Sequence, residues 1–246
     1  MTTHRSDRGP GPLAPFRSVR WTLPVLAACV MLIATAAARP ASQAPAPKDG
    51  PAGKRVLFDG KTLDGWKKTD FSHPGEVKVE DGRIILAAGG SMTGITTTRK
   101  DIPRTNYELT YEAMRLAGED FFAAATFPVG ESYITLVNGG WGGYVTGLSS
   151  LNGMDASENE TTRTIKYTNK TWYRFRVRVT GEVIRCWVDD KEVAAVNHRE
   201  KHVGTRVETR SSEPLGFAAW KSGGALRGIA VRPLSPDEIA VTNKIE

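Results

Sequence analysis

The chain of 246 residues has almost no cysteine: Cys29 lies near the N-terminus and Cys186 stands alone in the body. No disulfide within the body and no multi-cysteine zinc site can therefore organise it. Also lacking, from Arg55 to Pro233, is any long segment whose apolar residues recur at helical spacing, which excludes a helix bundle. Of the 25 glycines, 23 follow residue 44, in clusters such as Gly89-Gly90, Gly139-Gly140-Trp141-Gly142-Gly143 and Gly223-Gly224. None of these clusters has the Walker or dinucleotide-binding spacing between a strand and a helix, so a phosphate-cradling loop is excluded. No nucleophile elbow or Ser-His-Asp order is present. A basic surplus is missing where it would matter. The formal charge is +6, but five arginines and one aspartate fall in residues 1–44, leaving 28 basic and 26 acidic residues beyond them. A nucleic-acid partner is not expected.

What is there begins with a leader. Arg17 and Arg20 precede 18 uncharged residues, Trp21 to Ala38, and Ala34-Thr35-Ala36 and Ala36-Ala37-Ala38 offer small-residue cleavage patterns. Residues 1–38 read as a signal peptide or an N-terminal anchor, since the run falls just short of the roughly 20 residues that span a bilayer. Leu26-Ala27-Ala28-Cys29 also resembles a lipoprotein box, although the apolar run continues through Ile33. Export to the periplasm, cell surface or medium is the expectation, with membrane contact only through this segment if it is retained. Residues 39–54 carry Pro40, Pro45, Pro47 and Pro51 among alanines and read as an extended linker. A folded domain over 55–234 and a tail over 235–246 with a short helical cap complete the division.

Period-two alternation dominates the body. Tyr173, Phe175, Val177 and Val179 share one face of a predicted strand and Arg174, Arg176 and Arg178 the other. Tyr107, Leu109, Tyr111 and Ala113 alternate in the same way with Glu108, Thr110, Glu112 and Met114. Gly181-Glu182 and Asp189-Asp190-Lys191 turn the chain through Val183–Val188 into Glu192–Val196, an antiparallel meander. Further strands are predicted at 77–79, 83–86, 94–98, 121–127, 133–137, 144–148, 161–167, 215–220 and 226–231. The fold class is all-β: a jelly-roll sandwich of two antiparallel sheets.

Val56-Leu57-Phe58-Asp59-Gly60-Lys61-Thr62-Leu63-Asp64-Gly65-Trp66 resembles the opening of the 3-keto-disaccharide hydrolase family, also described as a 3-keto-glucoside lyase and 3-keto-2-hydroxy-glucal hydratase domain. Asn106-Tyr107-Glu108-Leu109, the hairpin Trp172–Val193 and the closing strand Leu226–Leu234 are similar to later family segments. The resemblance implies a concanavalin- or laminin-G-like jelly roll, a bacterial extracytoplasmic setting and sugar substrates. The chain departs from the family where Phe121–Phe127 and Phe217–Lys221 replace polar strands.

A 3-keto group acidifies the neighbouring C2 hydrogen, so the implied chemistry needs a base, an enolate stabiliser and an acid for the leaving group. Glu112, on the polar face of its strand, is the first candidate base, with Arg176 to hold an enolate and Lys221 to meet an anionic intermediate. Glu108, Arg174, Trp141, Tyr144 and Trp220 are candidate substrate-binding residues. Glutamates and arginines at period two equally describe a solvated sheet face crossed by ion pairs. Asp155 and Glu158, in an acidic loop after the glycine-flanked Trp141, are candidate ligands for a divalent ion such as Ca, Mn or Mg. His198 and His202 offer a weaker metal pair. The expected geometry is a hollow lined by the carboxylate and guanidinium stripes and roofed by Trp141. A carbohydrate or glycoside is the expected partner, and a non-catalytic carbohydrate-binding module or a structural envelope domain is the alternative.

Overall fold

The computed structural model describes residues 53–245; the leader, Cys29 and nearly all of the linker lie outside the described residues. The strand Trp172–Val179 obeys its alternation closely. Phe175, Val177 and Val179 are buried, while Arg176 and Arg178 between them are half-buried and Arg174 before them is exposed. Burying each such apolar side chain stabilises the fold by about 1.5–3 kcal/mol, which fixes the strand's facing because a one-residue slip would exchange the two sets.

In chain order the strands are β1 (Arg55–Val56), β2 (Trp66–Lys68), β3 (Val77–Glu80), β4 (Arg83–Leu86), β5 (Met92–Thr97), β6 (Tyr107–Ala117), β7 (Ala124–Val129) and β8 (Ser132–Gly139). They continue with β9 (Val145–Ser149), β10 (Arg163–Thr164), β11 (Trp172–Val179), β12 (Val183–Val188), β13 (Lys191–Asn197), β14 (Gly216–Trp220) and β15 (Gly223–Pro233). One sheet has the order β13-β12-β11-β6-β15-β4-β3, with β1 added against β15; the other runs β10-β9-β8-β7-β14-β5-β2. Every strand pairing among the described residues is antiparallel, so the predicted sandwich is the observed fold. Inward residues of both sheets form a single large core. At its centre Tyr111 stacks on Phe175 with centroids 4.8 Å apart and meets Phe217 of the facing sheet edge-on at 4.9 Å.

Two predicted strands are shorter in the structure. The segment expected at 121–127 pairs only from Ala124, because Phe121 turns outward while Phe122 is driven into the core. The one expected at 161–167 pairs only at Arg163–Thr164; beyond it Tyr167 turns inward, its hydroxyl 3.0 Å from Thr146 Oγ1.

Residues Pro236–Asn243 form a helix opened by a capping box, in which Ser235 accepts from the Glu238 N–H and Glu238 accepts from the Ser235 N–H. The helix lies over the outer face of the eight-stranded sheet, where Glu238 bridges Arg178 at 3.1 Å and Arg232 at 2.7 Å. Among the described residues no helix is long and apolar enough to cross a membrane.

Candidate functional site

On the outer face of the seven-stranded sheet a cavity of about 250 Å³ opens between the strands and three loops. Its floor is made of the outward residues Met92, Ala124, Thr135, Val137 and Ser149. Small and β-branched side chains here leave depth that larger residues would fill. Phe121, Trp141 and Trp220 form apolar walls, and Asp120, Arg206, Glu208 and Thr209 supply the polar groups. Flat aromatic walls with a few directed polar groups suit a sugar ring, whose faces are apolar and whose edge carries hydroxyls.

Trp141 is displayed by the turn Gly140–Gly143, which closes β8 onto β9. Its φ is 49°, with Gly139 at 75°, Gly142 at 82° and Gly143 at 100°, a succession of left-handed residues that only a glycine-rich segment tolerates. A Cβ on Gly143 would come within 2.5 Å of the Glu119 carbonyl, so the turn is packed down on the loop that carries Asp120. The indole remains 44% exposed and is available to a ligand. Trp220 closes β14, with its ring 6.4 Å from that of Phe121.

Asp120 is held by backbone donors: Oδ1 accepts from the Phe121 N–H at 2.7 Å and Oδ2 from the Gly142 N–H at 3.2 Å. No ion pair involves it among the described residues. The other carboxylates at the cavity are committed. Glu208 grips Arg206 through two bonds of 3.1 Å, and Asp155 meets the same guanidinium from the other side. The Arg206 hydrogen bond holds the Glu208 carboxyl below its ordinary range, and Glu208 in turn raises Arg206. The turn Val207–Ser212, which bears Glu208 and follows Arg206, is tied to the sheet: Thr135 donates to Thr209 Oγ1 at 3.2 Å and Thr96 to the Ser211 carbonyl at 3.0 Å.

The structure brings together only part of the expected constellation. Trp141 and Trp220 line the cavity, Asp155 reaches it through Arg206, and Lys221 stands beside it with Nζ 5.9 Å from the Trp220 ring. Tyr144 is exposed on the flank of the turn. Glu112, Arg174 and Arg176 lie on the outer face of the other sheet, so the expected hollow combining these stripes with Trp141 does not exist. The reason is the register: Tyr111 and Phe175 point into the core, forcing their neighbours out on the far side of the sandwich. Glu112 pairs with Arg227 and Arg174 with Asp190, the cross-strand and turn contacts of a sheet face. Glu108 is buried beneath the C-terminal helix, bonded by Arg178 at 2.7 Å and Arg232 at 2.9 Å, and is inaccessible to a substrate.

The expected metal ligands do not converge either. Asp155 faces a guanidinium, and Glu158 meets it only through a backbone N–H donated to the Asp155 carbonyl at 2.9 Å. Among the described residues no three His, Cys, Asp or Glu side chains are grouped to hold a metal ion, the His198–His202 segment included. No motif in the sequence marks Asp120, Ser149, Arg206 or Glu208 as site residues, and Phe121 stands out only where the chain departs from the family pattern. The one available signal was an acid directly before two aromatic residues at the mouth of a predicted strand.

Residues 53–232 match the family model described as a 3-keto-alpha-glucoside-1,2-lyase-like domain. Similar solved structures include domain 4 of a GH43 extracellular arabinanase from Geobacillus stearothermophilus, in complex with arabinotriose, at 14% identity and TM-score 0.48, covering 78% of this chain and 98% of that one. The carbohydrate-binding module CBM66 from Bacillus subtilis is similar at 8% identity and TM-score 0.47, covering 68% and 95%. A laminarinase from Flavobacterium sp. UMI-01 is similar at 13% identity and TM-score 0.46, covering 73% and 98%. No curated protein matches the sequence.

Proposed function

Because the chain belongs to the family of 3-keto-alpha-glucoside-1,2-lyase-like domains, we propose that its aromatic cavity binds a 3-keto glycoside and cleaves it by elimination followed by hydration. Asp120 is the base. It takes the C2 proton, and the C–H electron pair forms an enolate whose charge rests on the C3 oxygen. The enolate then collapses: C3=O re-forms, a C1–C2 double bond forms and the C1–O bond breaks, its electrons leaving with the departing oxygen. That oxygen takes the proton from Asp120. Water adds across the double bond, hydroxyl to C1 and hydrogen to C2, so the net reaction is hydrolysis and needs no oxidant.

Arg206 stabilises the charge on the C3 oxygen. Glu208 and Asp155 occupy three of its N–H groups, and a guanidinium has five, which leaves two to donate. Trp141 and Trp220 hold the ring faces. The observation that carries this reading is the position of Asp120: among the described residues it is the cavity carboxylate that no cation neutralises, so no paired guanidinium opposes its taking a proton. Glu208, held acidic by Arg206, is a poor base by comparison. Export by the leader would place this reaction outside the cytoplasm.

The test is turnover of 3-keto-trehalose and of a 3-keto aryl glucoside, with unoxidised trehalose as control. Both keto substrates should be cleaved and trehalose should not, since without the ketone C2–H is not acidic. Glycan binding without turnover of either keto substrate would instead mark a carbohydrate-binding module, the reading that the half-exposed Trp141 supports by itself.

A further inference from the structure

A second depression, of about 530 Å³, lies on the outer face of the eight-stranded sheet, on the far side of the sandwich from the aromatic cavity. Arg176 lines it, opposite Thr110 on β6 and Trp187 on β12. Its guanidinium lies over the Trp187 indole at 4.3 Å. Lys54, Arg174 and Arg227 share the depression with two carboxylates, Glu112 and Asp190. Arg227 takes Glu112 and Arg174 takes Asp190, at 2.7 Å in the latter case. No ion pair or hydrogen bond engages the Arg176 guanidinium among the described residues, so the depression holds a cationic group with its donors free.

Two independent irregularities of the sheet converge here. The β12–β13 register shifts between Cys186 and Trp187, and the β15–β6 register shifts between Arg227 and Ala230. Bulges bend the bulged strand and re-aim its side chains: the extra residue of the first lies on β13 opposite the step from Cys186 to Trp187, and the second turns both Arg227 and Gly228 to the outer face, where they line the depression beside Trp187. At the second bulge Gly228 adopts φ +62° with nothing within 4 Å of a would-be Cβ, leaving bare backbone facing the space.

We propose that this depression is a second, non-catalytic binding site for an acidic sugar residue, a hexuronate, whose carboxylate is received by Arg176. A stacked guanidinium is pre-oriented and can bind a carboxylate through two parallel N–H bonds. The volume accommodates a pyranose ring beyond the carboxylate, and Thr110 and Gly228, which also line the depression, offer a hydroxyl and bare backbone as further polar partners. The site does not depend on the elimination chemistry of the other face.

The experiment is calorimetric titration of the full chain with methyl glucuronoside, methyl glucoside and inorganic phosphate, repeated for Arg176→Gln, Arg176→Lys and Trp141→Ala. The glucuronoside should bind; Arg176→Gln should weaken it at least tenfold, Arg176→Lys less, and Trp141→Ala should leave it unchanged. Circular dichroism melts establish that each variant is folded. Absence of glucuronoside binding, or equal binding by Arg176→Gln, overturns the site. Equal affinity for the glucoside means that charge is not read, and equal affinity for phosphate means an adventitious ion only; either result overturns the proposal. Loss of binding in Trp141→Ala would move the acid sugar to the aromatic cavity and overturn it as well. Failure of 3-keto turnover, by contrast, leaves all of these outcomes unaffected.

Discussion

The backbone N–H of Gly142 donates to Asp120 Oδ2 across 3.2 Å, tying the turn that displays Trp141 to the carboxylate on the neighbouring loop. One side chain thus serves two ends: it holds the indole wall and offers a proton acceptor beside it. The two roles separate on substitution. Asp120→Asn keeps one oxygen, which can accept from Gly142 only by turning its NH2 group towards the Phe121 N–H, and it loses the basicity, so turnover of a 3-keto glycoside should fall about 10²–10⁴-fold with a smaller loss of ligand affinity than in Asp120→Ala. Asp120→Ala should lose turnover and also weaken binding, because the turn is released. Steady-state kinetics beside tryptophan fluorescence titration checks both.

Trp141 and Trp220 stand at two strand ends and contribute mainly to binding. Trp141→Ala and Trp220→Ala should each weaken glycan affinity about tenfold or more, which is about 1.4 kcal/mol. Trp141 is 44% exposed, so its removal should hardly change the thermal midpoint. Trp220 packs partly against the cluster of Phe71, Met92 and Ala218, and its loss should lower the midpoint measurably. Calorimetric titration and thermal melts distinguish these outcomes.

The two faces of β6 and β11 were legible from the sequence because alternation is a local property: Tyr111 and Phe175 are read as inward from their own neighbours. Which outer face carries the site is not local. It depends on how β14 and β5 pair to bring Met92 beside Trp220, and on the turn at Val207–Ser212 folding back over Thr96 and Thr135, contacts between residues more than 70 positions apart. Charged residues at period two give β6 and β11 the look of a site, yet such stripes need only solvent and cross-strand partners. The cavity face has little charge along its strands; its floor is Ala124, Val137 and Ser149, and its polar groups come from loops. Asp120 and Arg206 therefore gave no periodic signal.

Glu238 on the C-terminal helix and Glu108 beneath it join Arg178 and Arg232, and this cluster gives the fold an acid-sensitive clasp. The Arg232 hydrogen bond, with the Ser235 N–H, pulls the Glu238 carboxyl down from 4.5 to about 2. A group whose pKa is lowered by folding binds fewer protons in the native state, so its stabilisation is complete above the unfolded value and fades as pH falls. The loss should run from about pH 4.5 towards pH 2. Glu238→Gln should lower stability at pH 7 and flatten this part of the profile. Chemical denaturation at a series of pH values, followed by circular dichroism, measures it.

Arg206 is the point at which charge and architecture meet in the cavity, since Glu208 and Asp155 hold it from two sides and it faces the same space as Asp120. Replacing it with glutamine leaves those two carboxylates without their cation and adds net negative charge where an enolate must form. Turnover should fall about 10²–10³-fold, the scale of losing one preorganised donor to a developing oxyanion. Glu208, no longer held acidic, should titrate nearer its ordinary value, so a new dependence on pH should appear around 4–5 in any residual activity. Arg206→Lys separates charge from shape. A lysine ammonium keeps the positive charge but cannot bridge Glu208 through two parallel bonds while donating to a substrate. Recovery of most of the turnover by lysine would mean that charge alone suffices, whereas turnover as low as that of glutamine would mean that the fixed fork orients the C3 oxygen. The geometry favours the second result, because both Glu208 bonds hold the guanidinium plane in one orientation. Pre-steady-state measurement of C2 proton exchange with deuterated solvent reads the enolisation step directly and should fall in parallel with turnover.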